Sequence, residues 1–513
     1  MNQPSIKARS KAWIWIIVIL LVILACCCAA AGGSYFYLRS QNLTVREIIS
    51  NELEIPQSIQ EPVISTAIPA EPVQPVPQVE EETANETQSV AAADKLVLST
   101  NLGIWLMNET SHESTQINNM PLEAPWDLQE GMSPDHGMFA YLSGFGGASV
   151  NPWLVVVDLE NQTVALQMEL TGPLTQPGIE LSVGDPAFEA TRAMEFTNSL
   201  AWSPDGQRLA FVGGMEGDSA DVYLFNRNDL SITRLSEEAG HTTALHWSPD
   251  GQFIAYVTVE SFGTGAGMSM LGLWVYDVQN QQPRLLEELA SSGENFQGWR
   301  DSRTFLINSW DAMCERYNLR AVDVVSGSQE VVVNGCFSGV AYNPQQKEGL
   351  LSVTEFNQEY CNCGQSLEPG TYIFGEGFPF KKFEYILAYT IDFIPEGQLF
   401  AIYTDLGLEY IYQNNMAVSI PPEVQGLKPF PSPDGRYWAW ASYFSGTTGL
   451  WAAETNTNPV EISPFFTGTP VWSQDGQTIY FVEDGLLFSA SAPDFQGEIL
   501  MEIPNGEMLG LVR

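Results

Sequence analysis

Hydrophobic and polar positions divide the chain into three textures. From Ala12 to Leu38 no residue is charged, and Trp13 to Ala31 is apolar throughout. As a helix that run is long enough to cross a hydrocarbon core about 30 Å thick. From about residue 41 to residue 95 the apolar positions scatter among Glu, Gln, Thr and the prolines Pro56, Pro62, Pro69, Pro72, Pro75 and Pro77, a composition that predicts an extended, non-packing stalk. Beyond it, apolar runs of strand length recur, such as Leu154 to Val157, Leu209 to Phe211 and Leu273 to Tyr276, each closed by polar or turn-forming residues. They predict β-strands joined by tight turns.

The strands are organised by an internal repeat. Trp202-Ser203-Pro204-Asp205-Gly206 precedes Leu209-Ala210-Phe211, and Trp247-Ser248-Pro249-Asp250-Gly251 precedes Ile254-Ala255-Tyr256. Near copies are Ser432-Pro433-Asp434-Gly435 and Trp472-Ser473-Gln474-Asp475-Gly476; more degenerate ones start at Ser133, Trp299, Tyr342 and Ile394. Most lie about 40–50 residues apart, the period of a four-stranded propeller blade. In each unit Pro presets the turn, Asp bonds backbone amides within it, and Gly takes a conformation that a Cβ forbids. The preceding Trp is placed to pack between blades.

These units resemble the WD-like repeat of the TolB family, over roughly Lys95 to Arg513. The resemblance implies a scaffold for protein or small-ligand contacts. The expected fold is an all-β propeller of four-stranded blades, eight in number within a range of seven to nine. The apolar Met508 to Val512 is expected to complete the blade begun at the N-terminal end, removing exposed edges. The organisation reads as a cytoplasmic N-terminus (1–12), a transmembrane anchor (13–38), a stalk (39–95) and the propeller (96–513).

Charge sets the orientation. Lys7, Arg9 and Lys11 precede the apolar run and no acid occurs before Glu47, so the positive-inside rule places everything after Arg39 on the extracytoplasmic side. A rival reading takes Ile23-Leu24-Ala25-Cys26 as a bacterial lipoprotein cleavage box with lipidation at Cys26. The net charge of −41 falls mainly beyond the stalk, which excludes nucleic acid and anionic lipid headgroups as partners of the exported part.

Candidate chemistry is sparse. The sequence has no Gly-x-Ser-x-Gly elbow, no phosphate-binding Gly-x-x-x-x-Gly-Lys loop, no His-Glu-x-x-His and no EF-hand loop, and no cofactor or metal is expected. His112, His136, His241 and His246 read as surface or packing residues, and Asp135, Asp205, Asp250, Asp434 and Asp475 as turn-formers. Strand order puts the long loops on the face opposite the Ser-Pro-Asp-Gly turns. There Phe145, Phe262, Trp310, Phe356, Tyr360, Tyr443 and Phe444 are the binding-face candidates. Cys314, Cys336, Cys361 and Cys363 fall on the same face of two consecutive blades and read as disulfide partners, with three pairings open. The expected function is a non-enzymatic, membrane-tethered binding or scaffold module for an envelope protein, peptide or glycan. A loop-built hydrolase or lyase and a purely structural envelope protein are the alternatives.

Overall fold

The computed structural model describes residues 95–512 apart from 110, 124–129, 146–149, 179–180, 197, 263–267, 290–293, 312–314, 354–366, 376–377, 385–387, 389, 395–397, 405–406, 414–415, 443–447, 456 and 504–507. The anchor, the lipoprotein box with Cys26 and the stalk lie outside them. Among the described residues no helix is long and apolar enough to cross a membrane.

Nine antiparallel blades follow one another through the described residues. Blade 1 consists of Lys95–Thr100, Gly103–Asn108 and Ser114–Asn118, completed by Met508–Val512. Blade 2 has Met138–Ser143, Trp153–Asp158 and Thr163–Glu169, its first strand reduced to a bridge between Met132 and Phe139. Blade 3 runs from Leu200–Trp202 to Ile232–Arg234 and blade 4 from His241–Trp247 to Gln282–Glu288. Blades 5 and 6 form a single seven-stranded sheet from Glu294–Trp299 to Phe378–Glu384. The long strand Gln329–Asn343 closes one of them and opens the other, pairing Phe337 with both Arg316 and Val353. Blade 7 spans Thr390–Ile394 to Met416–Ser419, blade 8 Lys428–Pro431 to Val460–Ser463, and blade 9 Val471–Trp472 to Gln496–Glu502.

The repeat turn is built as its residues require. In five copies the serine Oγ donates to the aspartate Oδ1 two residues on, at 2.5–2.7 Å, and accepts the backbone N–H five residues on. The same Oδ1 accepts the N–H two residues after the aspartate. Gly206 at φ +67° supplies the left-handed step that closes the turn. In the Ser133 copy that place is held by His136 at φ +54°.

The count is nine, within the expected seven to nine and one more than the favoured eight, because the copies at Trp299, Tyr342 and Ile394 each open a four-stranded blade and the Ser133 copy opens one whose first strand is a bridge. Asp301 Oδ1 takes the N–H groups of Arg303 and Thr304, and Asn343 Oδ1 those of Gln345 and Gln346. These Asx turns do the work of the missing Ser-Pro-Asp-Gly.

Packing joins neighbours all the way round. Val97 and Ile104 meet Phe139 and Val157 between blades 1 and 2, and one continuous core then joins blades 2 to 5 through Leu142, Phe211, Tyr256 and Phe305. Leu319 meets Leu351 between blades 5 and 6, Leu350 meets Phe400 between 6 and 7, and Leu399 meets Trp438 between 7 and 8. Ala439 meets Phe481, and Leu96 and Leu98 meet Tyr480 and Leu487, which joins blade 9 to blade 1. Both faces of a blade are covered by a neighbour, so central strands such as Met138–Ser143 are buried at every position, whereas outer strands such as Gln496–Glu502 are mostly exposed.

Candidate functional site

The first strands of successive blades stand side by side around the axis, and those of blades 5 to 8, with the Pro249 turn of blade 4, border an open cavity of about 620 Å³. Its wall carries Trp299, Tyr342, Phe393 and Ile394 beside the backbone of Gly298 and Ala341. Trp299 and Tyr342 are 7% and 5% exposed, each packed on an aromatic ring of its own blade. Trp299 stands edge-on to Phe305 at 5.4 Å, and Tyr342 tilts against Phe374 at 5.8 Å. The polar members are Gln297, Asp392 and Lys428. Gln297 Nε2 donates to Asn308 Oδ1 at 2.6 Å, Asp392 is exposed, and the Lys428 ammonium lies 5.7 Å from the Phe430 ring.

Three repeat tryptophans staple their blade to the one before. Trp202 Nε1 donates to Gly131 O, Trp247 Nε1 to Ala201 O and Trp472 Nε1 to Phe430 O, each at 2.8 Å. Arg208 adds a further link, stacked 4.9 Å over the Trp247 ring and donating to Gly251 O at 3.1 Å.

A second polar constellation spans blades 2 to 5. His246 stacks on Phe296 at 3.8 Å and 11°, with Asn198 Nδ2 3.2 Å from its Nε2. Burial pushes the His246 pKa down to about 3, so the ring stays neutral. The carboxyl of Glu130 is driven up to about 7 by burial, against the pull of the Asn198 N–H. Asn198 itself holds φ +59°. On the loop face, Asp221 receives Arg234 Nη2 at 2.8 Å and the hydroxyls of Ser219 and Ser236; burial nonetheless keeps its pKa above the ordinary carboxylate value.

The residues singled out in the sequence are dispersed. Phe262 is 7% exposed, packs on Phe196 at 5.8 Å, and its N–H is held by Glu189 Oε2 at 2.7 Å from helix α1 (Pro186–Glu195). It therefore anchors its loop instead of offering a ring to solvent. Phe145 is half-buried against the core of blades 2 to 5. Trp310 lies on Thr304–Asp311, opposite Arg316. Phe356, Tyr360, Tyr443 and Phe444 lie outside the described residues, as do Cys314, Cys361 and Cys363. Cys336 is 3% exposed opposite Tyr317, and its sulfur is engaged. The repeat aspartates are turn-formers: hydrogen bonds from Ser133, Arg227 and Gly137 outweigh burial at Asp135 and hold its pKa below the usual carboxylate range. His241 accepts the Ala220 N–H at 3.1 Å through Nδ1, a packing role. Among the described residues no group of three His, Cys, Asp or Glu side chains is arranged to hold a metal. The cavity residues escaped the sequence reading, which sought aromatics in loops. Their signal was the set of repeat copies starting at Trp299, Tyr342 and Ile394, whose turn chemistry departs from the rest.

No protein-family model matches the sequence, and no characterised protein matches it. Among solved structures, the chain is similar to a eukaryotic initiation factor at 13% identity and a TM-score of 0.53, over 82% of this chain and 97% of that one. At that identity the likeness shows a shared fold alone. It is also similar to TolB from Acinetobacter baumannii, at 13% identity and a TM-score of 0.27 over 73% and 82% of the two chains. For the β-propeller domain of the trilobed protease of Pyrococcus furiosus the values are 12% and 0.35, over 72% and 94%.

Proposed function

We propose that this chain is an extracytoplasmic, membrane-tethered binding or scaffold module whose propeller receives a protein, peptide or glycan partner at its central channel. The observation that carries the reading is the cavity of about 620 Å³, walled by aromatic and proline side chains with a few separate polar groups. That is the composition of a ligand site, where apolar walls supply affinity and isolated polar groups set orientation. Its walls are strands of packed blades, so the site is preformed and little ordering cost attends binding. Asp392 and Lys428 carry single charges of opposite sign on that wall, whereas a hydrolase or lyase would call for carboxylates converging on one point.

The test uses the full chain in detergent, with envelope extract separated into protein, peptide and glycan fractions. A ligand that binds only the folded state raises the unfolding temperature. One fraction is expected to do so for the native chain and not for Asp392→Trp, which sets a large ring on the cavity wall from an exposed position; no shift with any fraction, or an equal shift in the variant, overturns the reading. The tether is supported by the Ala12 to Leu38 run and the basic residues before it. A reporter fused after Arg39 is expected to be active only outside the membrane, and cytoplasmic activity would sink the orientation. The burial of Cys336 supports disulfide pairing among the four exported cysteines. Alkylation of unreduced protein should find no free thiol at Cys314, Cys336, Cys361 or Cys363; four labelled thiols would reject the pairing.

A further inference from the structure

Charge is scarce on the strands nearest the axis, and the cavity wall is where it gathers. The first strands Leu200–Trp202, His241–Trp247 and Val471–Trp472, and the closing strand Met508–Val512, hold no Asp, Glu, Lys or Arg. Blades 7 and 8 each place one charge there, Asp392 on Thr390–Ile394 and Lys428 on Lys428–Pro431, and both residues border the cavity. The chain has seven lysines against 62 acids, so general acidity does not account for a lysine at this place. The two strands share one register. Phe393 pairs with Phe400 around one turn as Pro431 pairs with Trp438 around the next, which matches Asp392 with Phe430 and Lys428 with Thr390. The Cα atoms of Asp392 and Lys428 are therefore offset by two residues, about 7 Å along the strands, on neighbouring blades.

We propose that the cavity binds a short apolar peptide by its two free ends, the ammonium on Asp392 and the carboxylate on Lys428; this rests on the binding-module reading above. A ligand charged with one sign leaves the opposite wall charge to lose water without a partner, and a neutral ligand leaves both. A zwitterion meets each of them, and any pairing between the two wall charges is exchanged for two pairs. Extended, a peptide of two or three residues spans about 7–10 Å, which reaches across the offset, whereas a single amino acid is too short. Its side chains would lie against Val340, Ile391 and Phe393. A long chain is served worse, because adding a strand to the wall needs main-chain donors. Pro249 and Pro344 on the wall, with Pro429 and Pro431 in the first strand of blade 8, have no N–H to give. Neutral sugars find few neutral polar partners, since the amide N–H of Gln297 is given to Asn308 at 2.6 Å.

Isothermal titration of the full chain in detergent with the tripeptide Leu-Ala-Leu tests this, against its N-acetyl form, its C-terminal amide, free leucine and maltotriose. The free tripeptide is expected to bind, and each cap to weaken it about fivefold or more, the worth of one partly exposed charge pair. Asp392→Asn, on an exposed side chain, is expected to weaken the free tripeptide by a similar factor and to abolish the cost of acetylation while keeping that of amidation. Lys428→Met is expected to do the reverse. Either variant decides the matter by itself, so the idea stays testable if Lys428→Met fails to fold by circular dichroism. Caps that cost nothing in the native chain, cap costs that survive the matching variant, or leucine or maltotriose binding as tightly as the tripeptide, overturn the proposal. Binding of no probe, while an envelope fraction still stabilises the native chain and not Asp392→Trp, overturns the peptide and leaves the binding module standing.

Discussion

Leu98, on the first strand of the propeller, lies opposite Leu511 on its last, with Val97 opposite Val512 in the same pair. The ring is therefore held shut by main-chain pairing as well as by the packing of Leu96 and Leu98 against Tyr480 and Leu487. Deleting residues 508–513 should strip this edge and lower stability by about 4 kcal/mol or more, the cost of exposing two buried leucines before any pairing is counted. Hydrogen exchange should locate the loss first in Lys95–Thr100 and Gly103–Asn108. An unchanged unfolding curve would mean that closure contributes nothing.

His136 occupies the left-handed position that Gly206, Gly251, Gly435 and Gly476 hold in the other turns. Glycine there removes the Cβ clash at the expense of a more flexible unfolded chain. His136→Gly is expected to stabilise the propeller by about 0.5–1 kcal/mol in denaturant titration. Destabilisation would show that the imidazole makes a compensating contact.

Trp247 and Trp299 hold equivalent places in neighbouring blades, yet among the described residues only the first has an acceptor for its indole. Trp→Phe removes similar ring volume at both. The Trp247 variant also leaves Ala201 O without its donor and weakens the Arg208 stack, so it should cost about 1 kcal/mol more than the Trp299 variant. Equal losses in paired denaturant titrations would contradict the contrast between the two sites.

Glu130 and His246 pull the pH dependence in opposite directions. The folded pKa of Glu130 is raised to about 7, so its folded state binds the extra proton; the stability this gives is fully present below about 4.5 and lost as pH rises through 7. The folded pKa of His246 is lowered to about 3, so its contribution is present above 6.5 and lost as pH falls toward 3. Thermal unfolding from pH 4 to pH 8 should show Glu130→Gln flattening the alkaline side of the profile and His246→Asn the acid side. A Glu130→Gln profile that still falls between pH 5 and pH 8 as the native one does would remove Glu130 as the cause.

The sequence made the blade legible because its turn chemistry is local. Ser203, Asp205 and Gly206 satisfy one another within a few residues, so the same bonds recur wherever the letters recur. The blades opened by Trp299, Tyr342 and Ile394 were harder to count, since Asp301 and Asn343 form equivalent turns from other letters. The cavity was not legible. It depends on a bulge at Gly298 and on which first strands come to face one another, and the second follows from how successive blades pack and not from the letters of any one repeat. Phe262 shows the reverse error, a loop aromatic whose burial is decided by helix α1, which belongs to the connection between blades 2 and 3.

The pairing of Val97 with Val512 also sets a timetable for biogenesis. The two residues lie about 415 positions apart, and at typical synthesis rates of 5–20 residues per second the later one emerges about 20–80 s after the earlier. Throughout that interval blade 1 stands beside its neighbours with one margin unmatched, a template for any other strand that meets it. A chaperone or export factor shielding Lys95–Thr100 would act on the nascent chain before the last strand arrives and have no purchase on the finished molecule.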